Sequence, residues 1–197
     1  EMTSSLVGSE MCIRDRKTDE FADLYAEELK AEGGVISGEQ FVDECQVESD
    51  LELLLPATYV TGSSERMLLY RELDSLTLDK DVEAFRNRLI DRFGPVPSET
   101  EELLRIVPLR RLAARLGAEK VFLKGGRMSL FFISNPESPY YQSQAFGKVI
   151  AYMMKYTRRC DLREQNTRRS MLVKDVKNVE TAVGVLQEIV AMQVEEG

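Results

Sequence analysis

Apolar residues recur at helical spacing through the middle of the chain. Val82, Phe85, Leu89, Ile90 and Phe93 follow one another at i, i+3, i+7, i+8 and i+11, which predicts an amphipathic helix over 79–93. Gly94 is placed to let the chain leave that helix through a left-handed residue, and Pro95 forbids its continuation. Ser98 then reads as the cap of the next helix, with Glu101 three residues on completing a capping box. That helix reaches Leu116, and Gly117 is its stop. Pro108 lies inside it and removes a backbone donor, so a kink or two short helices are expected.

The same period predicts a helix over 64–76 and another over 143–156, where Phe146, Val149, Ile150, Met153 and Met154 share one side. A last helix over 176–193 carries Val176, Val179, Val183, Leu186 and Val190 on one side, with Asp175 as its candidate cap. Upstream, Phe21, Leu24, Tyr25 and Leu29 predict a short helix that Gly33-Gly34 ends. Strand patterns fill the gaps. Residues 120–124 and 127–134 flank Gly125-Gly126, the turn chemistry of a β-hairpin. Shorter strands are expected at 161–164 and 170–173, pairing with that hairpin, and one near 47–54 ending at Pro56. Helices lead and strands cluster later. The expected class is therefore α+β, several amphipathic helices packed on a small, mainly antiparallel sheet.

Composition narrows the chemistry. The 197 residues include no histidine, which removes serine–histidine triads, Cys–His pairs and histidine metal sites. No phosphate-cradling Gly-Lys-Ser/Thr loop is present; Lys124 to Ser129 reads as a hairpin turn. Glu101-Glu102 and Asp79 with Asp81 are carboxylate pairs at helix starts, where the helix dipole favours negative charge. Cys12, Cys45 and Cys160 are odd in number and widely spaced, which fits a reduced, cytoplasmic context. No apolar run is long enough for a membrane span, and the first residues do not read as a secretory signal. The net charge of −8 is unevenly spread. Residues 101–197 hold 16 Lys/Arg and 11 Asp/Glu, or +5, leaving −13 for residues 1–100. Much of that negative charge falls between Asp19 and Glu52, either a solvated linker or an arm for a basic surface.

Residues 1–18 read differently from the rest. The string Ser4 to Arg16 resembles a translated sequencing-adapter artefact and is set aside as a non-native extension.

Two motifs stand out, Leu54-Leu55-Pro56 with Tyr59 and the run Leu89-Ile90-Asp91-Arg92-Phe93-Gly94 followed by Pro97. Together with Arg66, Tyr70 and Leu116-Gly117 they resemble the C-terminal domain of the bacterial transcription-repair coupling factors (the Mfd family). The resemblance covers 47–197, and 19–46 then corresponds to an acidic helix and linker leaving the motor module. It implies a regulatory, non-catalytic domain. In that family the domain packs on a UvrB-like N-terminal module and masks its UvrA-binding surface until RNA polymerase is engaged. ATP and Mg would belong to the motor, which drives translocation on DNA.

Four residues are candidates for the interdomain contact: Arg66 and Tyr70, one helical turn apart, and Asp91 with Arg92. Local structural pairing is the alternative for each. A rival function is a nucleic-acid-binding accessory domain using the basic second half, with Arg105, Arg110, Arg111 and Arg115 on one helix and Arg158, Arg159, Arg163, Arg168 and Arg169 beyond.

Overall fold

The computed structural model describes residues 41–165 and 168–193. They belong to a compact unit, Gln40–Gly197. The expected upstream helix, the adapter-like string and Cys12 lie outside the described residues.

The elements run β1 (Gln46–Ser49), α1 (Ser63–Ser75), α2 (Asp79–Phe93), α3 (Ser98–Leu104), α4 (Ile106–Arg115), β2 (Ala118–Lys124), β3 (Arg127–Phe132), a 3-10 turn (Pro139–Gln142), α5 (Gln144–Lys155), β4 (Cys160–Gln165), β5 (Arg168–Lys174) and α6 (Val179–Val190). The class is α+β. The five strands form one sheet in the order β1-β2-β3-β5-β4, antiparallel except for β1, which runs parallel to β2. Parallel pairing needs a long connection, and here it carries α1 through α4.

Local signals explain most boundaries. Gly94 has φ 86° and its amide closes α2 on the Ile90 carbonyl, 2.9 Å. Gly125 and Gly126, at φ 59° and 68°, turn the β2–β3 hairpin. The long third helix is in fact two. The break falls at Arg105, and Pro108 sits in the first turn of α4, where a missing amide donor costs least.

Several expectations are corrected. Pro97, not Ser98, is the cap residue of α3; Ser98 turns to Glu99, and Glu101 leaves the box to pair with Arg86. The last helix starts at Val179, capped by the Asn178 side chain on the Thr181 amide, 2.8 Å. Asp175 instead takes a left-handed φ of 59°, and the Val176 amide bonds the Gly126 carbonyl across the sheet end. That tertiary bond delays the helix. It also shifts the buried stripe of α6 to Val179, Ala182, Val185, Leu186 and Ile189. Strand β1 ends at Ser49, whose Oγ accepts from the Leu51 amide and turns the chain away. Ile90 and Met154, assigned to apolar stripes by spacing, are exposed.

The buried residues form two clusters. The larger lies between the sheet and α4, α5 and α6, and includes Val121, Leu130, Phe132, Tyr140, Met171 and Leu186. Cys45 and Cys160 are buried free thiols of this cluster. Burial pushes Cys45 up to about 12 and raises Cys160. The smaller cluster joins Leu55, Val60, Leu69, Leu73, Phe85, Leu89, Leu104 and Val107. It is the core of a helical layer, α1 to α3, fixed to the sheet layer through α4.

Candidate interdomain surface

The segment 54–62 has little regular structure, so its backbone groups must find partners elsewhere. They find them on α1 and α3. The Leu55 amide donates to the Tyr70 hydroxyl on α1, 2.7 Å, and the Leu54 carbonyl accepts from Thr100 Oγ1 on α3, 3.0 Å. The Val60 carbonyl accepts from Arg66 Nη1, 2.6 Å, which also reaches the Thr61 carbonyl at 3.2 Å. The Tyr59 hydroxyl crosses to the end of α2 and donates to the Gly94 carbonyl, 2.9 Å, with Leu89 O at 3.2 Å. Its ring packs on Phe93. Partial burial beside Glu101 raises the pKa of this phenol, so it stays a donor.

The two sequence motifs are thus one structural unit, with Tyr59 as the tie. Val60 and Phe85 beneath it are 0% and 1% exposed, so the tie closes over a dry floor.

On the outer surface of this unit the charges line up. Glu65 on α1 pairs with Arg92 on α2, and Glu72 on α1 pairs with Arg88 on α2. Arg92 also lies over the Phe93 ring, 5.1 Å from its centroid. Asp91 is exposed beside this ladder. On α1, Met67 and Leu68 are 56% and 63% exposed. Met67 borders an open groove of about 350 Å³ that runs past Tyr70 and Leu73 to Leu103, Ile106 and Val107.

The four candidate residues therefore separate. Arg66 and Tyr70 turn inward and hold the 54–62 segment, and Arg92 and Asp91 stay at the surface. Sequence reasoning did not place Thr100, Glu65 or the exposed Met67-Leu68 pair in the site; the spacing of hydroxyl-bearing residues against a non-helical segment was the available signal. The arginines of the third predicted helix do not form a free stripe. Arg105 pairs with Glu102 and Glu180, Arg110 with Asp74 and Arg111 with Asp79. The carboxylate pair Glu101-Glu102 is likewise engaged: Glu101 holds Arg86 at 2.7 Å, and Glu102 accepts from the Val179 amide that opens α6, 2.5 Å.

A family model, the TRCF domain, matches residues 49–143, the span from the end of β1 through this tied unit and the hairpin. Over that span the chain resembles the TRCF domain family. Curated relatives agree. A transcription-repair-coupling factor of Rickettsia typhi is 26% identical over 166 residues, 82% of this chain and 14% of the relative. One of Rickettsia bellii is 28% identical over the same length, and one of Staphylococcus haemolyticus 24% identical over 146 residues. The chain spans about 14% of the length of the first two. A crystal structure of the C-terminal domain of a transcription-repair coupling factor shares the fold, with TM-score 0.57 and 20% identity, over 74% of this chain and 94% of that one. The TRCF domain thus takes in both motifs and the groove between α1 and α4. Among its described residues no helix is long and apolar enough to cross a membrane.

Proposed function

We propose that this TRCF domain is a regulatory clamp. It docks on the UvrB-like N-terminal module of its parent protein and masks the UvrA-binding surface there. The parent is an ATP-dependent DNA translocase that displaces stalled RNA polymerase and recruits excision repair. On this reading the domain itself performs no catalysis, and ATP and Mg are used by the motor module.

The observation that carries the reading is the division of labour between the two motifs. Tyr59 of the first motif, with Arg66 and Tyr70 of α1, faces inward and builds a support for both motifs. Their outward residues, Asp91 and Arg92, stand exposed on top of it beside the Glu65 and Glu72 ion pairs. A switch surface must release, so a charged, salt-sensitive face suits it better than a wide apolar one. A rigid support keeps the charges in register for a complementary partner.

The test is calorimetry of the chain against the isolated UvrB-like module at two salt concentrations. Binding that weakens with salt is expected. Asp91→Arg should weaken it about tenfold without unfolding the domain. No binding at high concentration would remove the clamp, and salt-independent binding would remove its electrostatic basis.

A further inference from the structure

The sheet has a second face, opposite the large core. Cross-strand register assigns its rows: Glu48, Phe122, Ser129, Leu172 and Asp161 in one, and Gln46, Lys120, Phe131, Ser170 and Arg163 in the next. Lys124, Arg127 and Lys174 make a third row at the hairpin end. Neither Phe122 nor Phe131 belongs to the buried core, and both are only half-buried. Their rings meet edge to face with centroids 5.2 Å apart. Lys120 Nζ and Lys124 Nζ lie 4.7 and 5.0 Å from the Phe122 centroid.

Charge on this face is one-sided. Six cations, Lys120, Lys124, Arg127, Arg163, Arg168 and Lys174, face the carboxylates Glu48 and Asp161, with Asp50 at the rim and Glu119 paired to Arg168. Glu48 pairs with Lys120 and Lys124, Asp161 pairs with Lys174, and Asp50 accepts from the Gly125 amide. That leaves Arg127 and Arg163 exposed on opposite sides of the aromatic pair.

We propose that this face binds single-stranded nucleic acid, with bases stacked on Phe122 and Phe131 and phosphates held by the surrounding lysines and arginines. Two half-buried rings on adjacent strands, ringed by cations, offer what unpaired bases and their backbone need. The small Ser129 and Ser170 beside the rings leave room for a base to approach. They also break the continuous apolar surface that a protein partner's interface core would want. A base arriving on Phe122 displaces an ammonium from the ring, and that ammonium is then placed for the adjoining phosphate. This surface is separate from the α1–α2 ladder, so it stands or falls independently of the clamp.

Fluorescence anisotropy on the full 197-residue chain tests it, using a labelled thymidine strand of about 12 nucleotides at low and moderate salt. Binding is expected, with affinity falling steeply as salt rises. Phe122→Leu and Phe131→Leu together should weaken it about tenfold, and Arg127→Glu with Arg163→Glu should weaken it at least as much. The arginine changes are at exposed positions, so they test the face even if the leucine variant fails to fold. Absence of binding, indifference to the arginine pair, or equal affinity for a duplex of the same length would overturn the proposal. So would poly-glutamate displacing the strand at equal charge concentration, which would assign the face to an acidic protein segment.

Discussion

The helical layer and the sheet layer of this domain solve the same problem with different means. The sheet layer holds 26 buried residues in one cluster among those described, under a five-stranded backbone ladder. The helical layer holds eight. So small a cluster supplies little hydrophobic stabilisation for three helices and a non-helical segment. The deficit is met by side-chain-to-backbone hydrogen bonds from Tyr59, Arg66, Tyr70 and Thr100. Packing tolerates exchange among apolar residues of similar volume, whereas such a bond needs one hydroxyl or guanidinium at one place. That difference explains why the recognisable motifs lie in the helical layer while the larger core reads only as a pattern.

The largest contrast comes from equal cuts in the two cores. Phe85→Ala and Phe132→Ala each remove a fully buried ring and should each cost about 3–5 kcal/mol. They should differ in extent. Hydrogen exchange should show Phe85→Ala releasing α1 to α3 while β2, β3 and β5 stay protected, and Phe132→Ala releasing everything together. Equal loss of protection throughout for both would make the two layers a single cooperative unit.

Gly117→Ala comes next. Gly117 joins α4 to β2 at φ 74°, and an added Cβ would lie 2.1 Å from Cε2 of the buried Tyr140 ring. Tyr140 cannot swing aside, because its hydroxyl donates to the Leu116 carbonyl and its ring packs on Phe132 and Phe146. Steric overlap plus a left-handed alanine should cost about 3 kcal/mol, seen as a lower denaturation midpoint.

Tyr59→Phe should cost about 1–2 kcal/mol, because it deletes the hydroxyl that ties the two motifs and leaves the Gly94 carbonyl without that donor. Denaturant titration gives the total, and exchange should place the loss at the end of α2. The sheet layer has its own counterpart in pH. Burial raises the Cys45 thiol from 9.0 to about 12, so the folded form keeps a proton that the unfolded chain loses. Its contribution is full below pH 9 and is lost as pH rises toward 12. Cys45→Ala should flatten that alkaline decline in a pH series of melting curves.

Legibility in the sequence followed the same division. Helix α2 and the β2–β3 hairpin were readable because their stops are local: Gly94-Pro95 and Gly125-Gly126 impose their geometry without help. The parallel pairing of β1 with β2 was not, since its register is set across about 70 residues of intervening chain. The start of α6 was misplaced because the bond from Val176 to Gly126 outweighs a good cap at Asp175. At the candidate surface the motif residues were visible, and their directions were not. Arg66 and Arg92 look alike in sequence, and only the fold turns one inward and leaves the other out.

The smallest expected effect tests that last distinction. The Arg92–Glu65 pair has side chains 59% and 36% exposed, so water and salt screen it and ordering two long side chains offsets much of the attraction. A double-mutant cycle through Arg92→Ala and Glu65→Ala should give a coupling of about 0.5 kcal/mol or less in stability. The same cycle read on binding to the UvrB-like module should give a larger coupling if the ladder presents Asp91 and Arg92 to that partner. Equal, small couplings in both measurements would assign the ladder to ordinary surface pairing and move the docking surface toward Met67, Leu68 and the groove below them. A large coupling in stability would mean that the helical layer depends on its surface charges as well as on Tyr59. The contrast between the layers would then be wider than their cores imply.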